Sequence, residues 1–188
     1  MAEGPEGVME IFERHRAVMR GHFRLSSGRH SDTYVQCAMV LQHPRVAEEL
    51  AGMLADRLKG RDAQAVLSPA LGGVVIGFMV ARALGLRFLF AERKEGRMEL
   101  RRGQELERGE RVLLVEDVVT TGGSLDELEE LVERAGGTTV GRGALISRGQ
   151  ADEGLEALLR LPLASWEPQQ CPLCREGVGM EAPGSRHA

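Results

Sequence analysis

The sequence predicts an α/β protein, with a mostly parallel central sheet flanked by helices and preceded by an N-terminal hood. Strand, glycine turn and helix recur from Ala65 onward, in "AVLSPALGG" into "VVIGFMVARALG" and again in "RVLLVED" into "SLDELEELVERAGG". The strands are unbroken apolar runs, as expected where helices cover both faces of a parallel sheet. Both glycine-rich turns fall where strands end, and ligands of such sheets bind at those carboxyl ends. With 188 residues and 43% hydrophobic content, the chain has material for one core. It reads as a single domain: a hood over 1–60, a core over 61–165 and an irregular tail over 166–188.

Val8, Ile11, Phe12, Val18 and Met19 recur at helical spacing before Gly21, predicting a first amphipathic helix with a glycine stop. "HFRLSSGRHSDTYVQC" switches to shorter alternation and predicts two short strands joined by a turn. Pro44 opens a second helix, with Val46, Leu50, Met53, Leu54 and Leu58 on one face and Gly60 after it. The repeating core follows, through "LRFLFAE" and "TTVGRGALIS". Between its strands, 92–111 is charged and poor in apolar residues, which predicts either a mobile loop or an exposed hairpin.

Charge and composition exclude several classes. A net charge of -4 supplies no global basic field for nucleic acid. No apolar run is long enough to span a bilayer, and "MEIFERHRAVMR" lacks the apolar core of a secretory signal, so a soluble cytoplasmic protein is expected. Three cysteines, Cys37, Cys171 and Cys174, argue against a secreted disulfide scaffold. "CPLC" has the spacing of half a zinc site, whereas a structural zinc takes four ligands. A four-cysteine site shared across a dimer axis and a pair of packed or redox-accessible thiols are both open readings.

The chemistry concentrates in "VLLVEDVVTTGGS", residues 112–124. Its glycines let the backbone turn tightly and aim successive amides at one point, while Thr120, Thr121 and Ser124 add hydroxyls. Ser124 is a natural N-cap for the helix that follows, whose positive end favours phosphate. Glu116 and Asp117 precede the turn. Consecutive strand residues point to opposite faces, so both can address one ligand only if the strand has ended there. Buried carboxylates need partners, and sugar hydroxyls would supply them. Neither the Walker A spacing nor the G-x-G-x-x-G fingerprint is present.

Two acids, two small apolar residues and Thr-Thr-Gly-Gly-Ser after a hydrophobic strand resemble the phosphoribosyl pyrophosphate (PRPP) signature of type I phosphoribosyltransferases. The resemblance implies that Glu116 and Asp117 hold the ribose hydroxyls, while Val118, Val119, Thr120, Thr121, Gly122, Gly123 and Ser124 wrap the 5-phosphate. Along nearly the whole chain the resemblance is to the orotate phosphoribosyltransferase family. "GHFRLSSGRHSDTYVQC" is similar to that family's N-terminal segment, with Ser26 where many members carry a lysine near the base. "SPALGGVVIG" looks like its pyrophosphate loop, which implies that amides of Ala70, Leu71, Gly72 and Gly73 face the diphosphate. "AERKEGRMELRRG" occupies the place of its mobile catalytic loop. Arg93, Lys94 and Glu95 match, Arg97 stands where a lysine is usual, and Glu99 stands where a histidine is usual.

This resemblance implies PRPP contacts by Arg93 and Lys94, catalytic roles for Lys94, Arg97 and Asp117, and contacts to orotate by Thr120 and Arg148. A guanidinium at position 148 would grip a planar carboxylate through two parallel hydrogen bonds. The expected reaction is transfer of the 5-phosphoribosyl group from PRPP to orotate in de novo UMP synthesis. Mg2+ held mainly by PRPP itself and a homodimer that exchanges catalytic loops are also implied. A phosphoribosyltransferase for a purine or another base, and a PRPP-binding regulator without activity, are the alternatives.

Overall fold

The computed structural model describes residues 5–25, 27–149 and 154–183. Ser26 lies outside them. The core is a six-stranded sheet built from β3 (Ala65–Pro69), β4 (Arg87–Lys94), β5 (Arg97–Leu100), β6 (Arg111–Val119), β7 (Thr138–Ser147) and β8 (Leu155–Arg160). Its order is β5-β4-β3-β6-β7-β8, parallel throughout except for the β4–β5 hairpin. Helices α3 (Pro44–Leu58) and α4 (Gly72–Leu84) cover one face, and α5 (Gly123–Arg134) covers the other.

Strand β6 shows how the two layers are made. Leu113 and Val115 pack with Leu50, Leu54, Ile76 and Val80 of α3 and α4, whereas Val112 and Leu114 pack with Leu125, Leu128 and Val132 of α5. All are essentially buried. Each such aliphatic side chain stabilises the fold by about 1.5–3 kcal/mol through burial, so α5 is secured largely by its three core residues. The continuous apolar runs of the sequence are therefore two interleaved alternations, one per face.

The hood contains α1 (Pro5–Arg14), an antiparallel hairpin of β1 (Val18–Arg24) and β2 (His30–Val35), and a short α2 (Ala38–Leu41). The first helix is shorter than its apolar spacing predicts. It stops at Arg14 because Arg16 takes a left-handed conformation (φ 54) and the Ala17 amide reaches back to the Phe12 carbonyl at 2.9 Å, closing a Schellman-type turn. Val18 and Met19 thus belong to β1, opposite Val35 and Tyr34. Of the charged stretch 92–111, the first part forms the hairpin, with Lys94 opposite Arg97 across its turn, and 101–110 is an irregular connection to β6.

The short α2, strand β8 and the ordered turns of the tail have no counterpart among the elements that the sequence predicts. Strand β8 closes the far edge of the sheet beside β7, and α1 packs over it. The tail is also more ordered than its Pro and Gly content suggests. It carries a 3-10 turn at Pro168–Gln170 and a one-turn α6 at Pro172–Arg175. It also pairs with the hood: the His30 and Trp166 amides exchange bonds with each other's carbonyls at 2.8 Å, and Glu181 bridges to Phe23.

Candidate active site

Strand β6 continues to Val119, so Glu116 and Asp117 lie within it and project from opposite faces. Asp117 continues the Leu113–Val115 face toward α4. A Cβ placed on Gly72, the first residue of α4, would lie 2.5 Å from Asp117 Oδ1, so only glycine admits the carboxylate there. Part of Asp117 reaches solvent, yet its carboxylate is enclosed by protein. Burial raises its pKa, partly offset by the amides of Val118 and of Asp117 itself. Glu116, paired with Ala144 of β7, continues the α5 face.

The turn after β6 bends sharply. Gly122 is left-handed (φ 83), which a residue with a Cβ rarely adopts, and it is the N-cap of α5. The helix therefore begins one residue before Ser124, which is not its cap, and no side chain bonds to the cap position. The first-turn amides of α5 and its positive dipole end lie at the turn Thr120–Gly123, where an anion would be favoured. At the other glycine turn, Ala70 and Leu71 are joined by a cis peptide. The Ala70 amide donates to the Ala91 carbonyl at 2.8 Å, so its N–H is engaged in the sheet and not aimed at a ligand. The amides of Leu71, Gly72 and Gly73 are what this loop can offer an anion.

Arg148 follows β7, where its amide donates to the Val119 carbonyl at 2.8 Å, setting it beside the anion turn. Its Nη2 donates to Ser31 Oγ at 3.0 Å and to the Thr33 carbonyl at 3.2 Å, which steers the guanidinium with the hood strand β2. Burial lowers its pKa, against the raising influence of Tyr34 and Asp32. Tyr34 is half-buried between the two charged groups. Burial raises its pKa, as do Asp117 and Cys37, while Arg148 lowers it. Tyr34 thus joins the site that the sequence motifs define. No sequence motif singled it out, since only the fold brings β2 beside Arg148. Cys37 sits here too, its thiol 3.9 Å from the Asp117 carbonyl and its pKa pushed well up by burial, far from a role as a metal ligand in the tail.

The charged hairpin stands elsewhere. Arg93 bonds to Glu127 of α5 at 2.7 Å and to the Gly96 carbonyl, and Lys94 and Arg97 are exposed. Arg97 and Glu99 line a concavity of about 720 Å³ together with Glu127, Glu130 and Arg134 of α5, and none of 70–73 or 116–124 borders it. Within one chain the hairpin therefore flanks α5 and does not cover Asp117. Glu99 lies opposite Glu92, whose carboxylate is held by both Nε and Nη2 of Arg102 at 2.9 Å.

A glycine turn and an enclosed acid at the carboxyl edge of a parallel sheet, under a hood, make the architecture of a phosphoribosyltransferase. A phosphoribosyl transferase domain matches residues 36–160. Orotate phosphoribosyltransferase of Pelotomaculum thermopropionicum is 51% identical over 183 residues, covering 95% of this chain and 96% of its own. The enzyme of that name from Caldanaerobacter subterraneus subsp. tengcongensis is 48% identical over 185 residues, covering 96% and 97%. The crystal structure of orotate phosphoribosyltransferase from Aeropyrum pernix aligns with a TM-score of 0.69 at 25% identity, over 82% of this chain and 94% of that one. The chain belongs to the orotate phosphoribosyltransferase family.

Proposed function

We infer that the protein transfers the 5-phosphoribosyl group of PRPP to orotate, giving orotidine 5'-phosphate and pyrophosphate in pyrimidine synthesis. The observation that carries this reading is the placement of Arg148 beside the anion turn, with its guanidinium oriented by Ser31 and Thr33. A purine offers no carboxylate to that group, whereas orotate does. The turn and the amino end of α5 bind the 5-phosphate. Asp117 accepts from the ribose hydroxyls at its rim, whereas Glu116, expected from the sequence to share that role, projects from the opposite face of β6 because the strand continues through both. The amides of Leu71–Gly73 receive the diphosphate. As the diphosphate leaves with the bonding pair, positive charge grows on the ribose ring, and the enclosed Asp117 carboxylate orients and stabilises it. N1 of orotate, held through its carboxylate by Arg148, then forms the new glycosidic bond from the opposite face as its proton is released to solvent.

Mg2+, bound through the diphosphate and ribose oxygens, would supply charge that helps the diphosphate depart. The donor set suits that mode of binding. Among the described residues, no cluster of three or more ligating side chains includes Glu116 or Asp117, which is consistent with coordination mainly by substrate oxygens.

A homodimer fits two observations. Leu71, which caps α4, and Val75 and Phe78 within it recur at helical spacing and are exposed. The hairpin bearing Lys94 and Arg97 flanks α5 and leaves its own Asp117 uncovered, which suits a loop that serves the neighbouring subunit. Among the described residues no helix is long and apolar enough to cross a membrane, and we place the enzyme in the cytoplasm.

The test is Arg148→Ala in steady-state kinetics with both substrates varied. Losing a bidentate charge-assisted contact costs about 3 kcal/mol, or roughly 100-fold. The orotate KM should rise by that order while the PRPP KM stays near its original value. An unchanged orotate KM, or faster turnover of a purine than of orotate by the unaltered protein, would remove the orotate reading.

A further inference from the structure

Outside the PRPP site the structure gathers four ligand-type side chains from both ends of the chain. His22 of β1, His30 of β2, and Cys171 and Cys174 around α6 bring their donor atoms within 4.8 Å of one another. His22 Nε2 lies 3.1 Å from His30 Nδ1, 3.5 Å from Cys171 Sγ and 3.6 Å from Cys174 Sγ, and Cys174 Sγ lies 3.2 Å from His30 Nδ1. We propose that these residues bind one structural zinc ion that fastens the C-terminal tail to the hood.

Three features carry the assignment. Tetrahedral zinc with bonds of about 2.3 Å to sulfur and about 2.0 Å to nitrogen sets N···N near ~3.3 Å and N···S near ~3.5 Å. The observed spacings lie close to both. Two thiolates and two imidazoles suit zinc rather than a hard oxygen-seeking cation. The second coordination sphere is also present: the Val178 carbonyl lies 2.8 Å from His22 Nδ1, which assigns the proton to Nδ1 and leaves the Nε2 lone pair directed into the cluster. All four positions lie outside the family-domain match at 36–160, so the transferase core does not account for them. Four protein ligands fill a tetrahedral shell and leave no place for a substrate, which makes the ion structural. The two thiols release their protons to solvent as zinc binds.

Metal analysis of protein purified without added metal or chelator should find about one zinc per chain. Cys171→Ser and Cys174→Ser should each abolish stoichiometric zinc, while Cys37→Ser keeps it. The unaltered protein, stripped under reducing conditions and titrated with Co2+, should develop the visible bands of a tetrahedral sulfur–nitrogen site, saturating at one equivalent. This measurement depends on no variant folding. Removing the metal should lower Tm by about 10 °C, reversed by one equivalent of zinc. Zinc retained in full by Cys174→Ser, or no tetrahedral cobalt spectrum from the reduced protein, would overturn the assignment.

Discussion

A methyl group added at Gly72 would lie 2.5 Å from Oδ1 of Asp117 and 2.9 Å from both its Cγ and Oδ2. No rotation of the carboxylate about its own axis clears all three contacts, so in Gly72→Ala the Asp117 side chain must swing away from its place at the sheet edge. A hydrogen bond to a charged acceptor contributes about 1.5–3 kcal/mol, so losing one ribose hydroxyl contact should weaken PRPP binding roughly 10- to 150-fold. The fold has little to lose. Gly72 is exposed and its backbone lies outside the left-handed region, so alanine at the start of α4 should be neutral or stabilising by up to about 1 kcal/mol. Calorimetric titration with PRPP and Mg2+, paired with thermal denaturation, separates these effects. Unchanged PRPP affinity in a variant of unchanged Tm would refute the placement of Asp117 as the ribose acceptor.

Burial raises the Asp117 pKa, so PRPP affinity should fall as pH drops through that raised value, at a higher pH than an exposed aspartate would titrate; binding isotherms across pH should show this step, and Asp117→Asn should lose both the affinity and the step. The stability effect has the opposite sign: a folded-state pKa above the unfolded one contributes stability present at low pH and lost as pH rises through the folded value. Asp117→Asn should therefore equal or exceed the unaltered protein in Tm at neutral pH. Phe78→Glu should dissociate the dimer: burying Phe78 contributes about 1.5–3 kcal/mol on each side of a two-fold axis, which corresponds to about 10²- to 10⁴-fold in the dimer Kd, and light scattering across a dilution series reads it directly. A monomeric unaltered protein, or a variant that dimerises as tightly, would end the dimer proposal.

The parts of this structure that were legible in the sequence are those encoded by consecutive residues. The runs at Ala65–Pro69 and Arg111–Val119 with their glycine turns read correctly as strands entering helices, because the packing that defines them repeats within a few positions. The first helix was read too long, since Val18 and Met19 fit a helical spacing and nothing in the sequence marks the left-handed Arg16. "LEALLR" of β8 suits helix or strand equally, and only its place beside β7 decides. The tail defeated local reading altogether. Cys171 and Cys174 suggested half of a zinc site, but their partners lie 149 and 144 positions away, on a hairpin whose histidines carry no motif spacing. Arg148 was legible only through resemblance; its orientation by Ser31 and Thr33 is tertiary, as is the entry of Tyr34 into the site.

The opposed projection of Glu116 and Asp117 bears on how this protein can change length. A strand's side chains alternate, so inserting or deleting one residue in β6 upstream of the pair would exchange their faces, setting Glu116 against α4 and Asp117 against α5. The apolar core would survive such a slip, because both faces of β6 are hydrophobic, yet the acid beside Gly72 would be one methylene longer than the space allows. Length variation compatible with activity is therefore confined to connections that carry no site residue, such as 101–110 between β5 and β6.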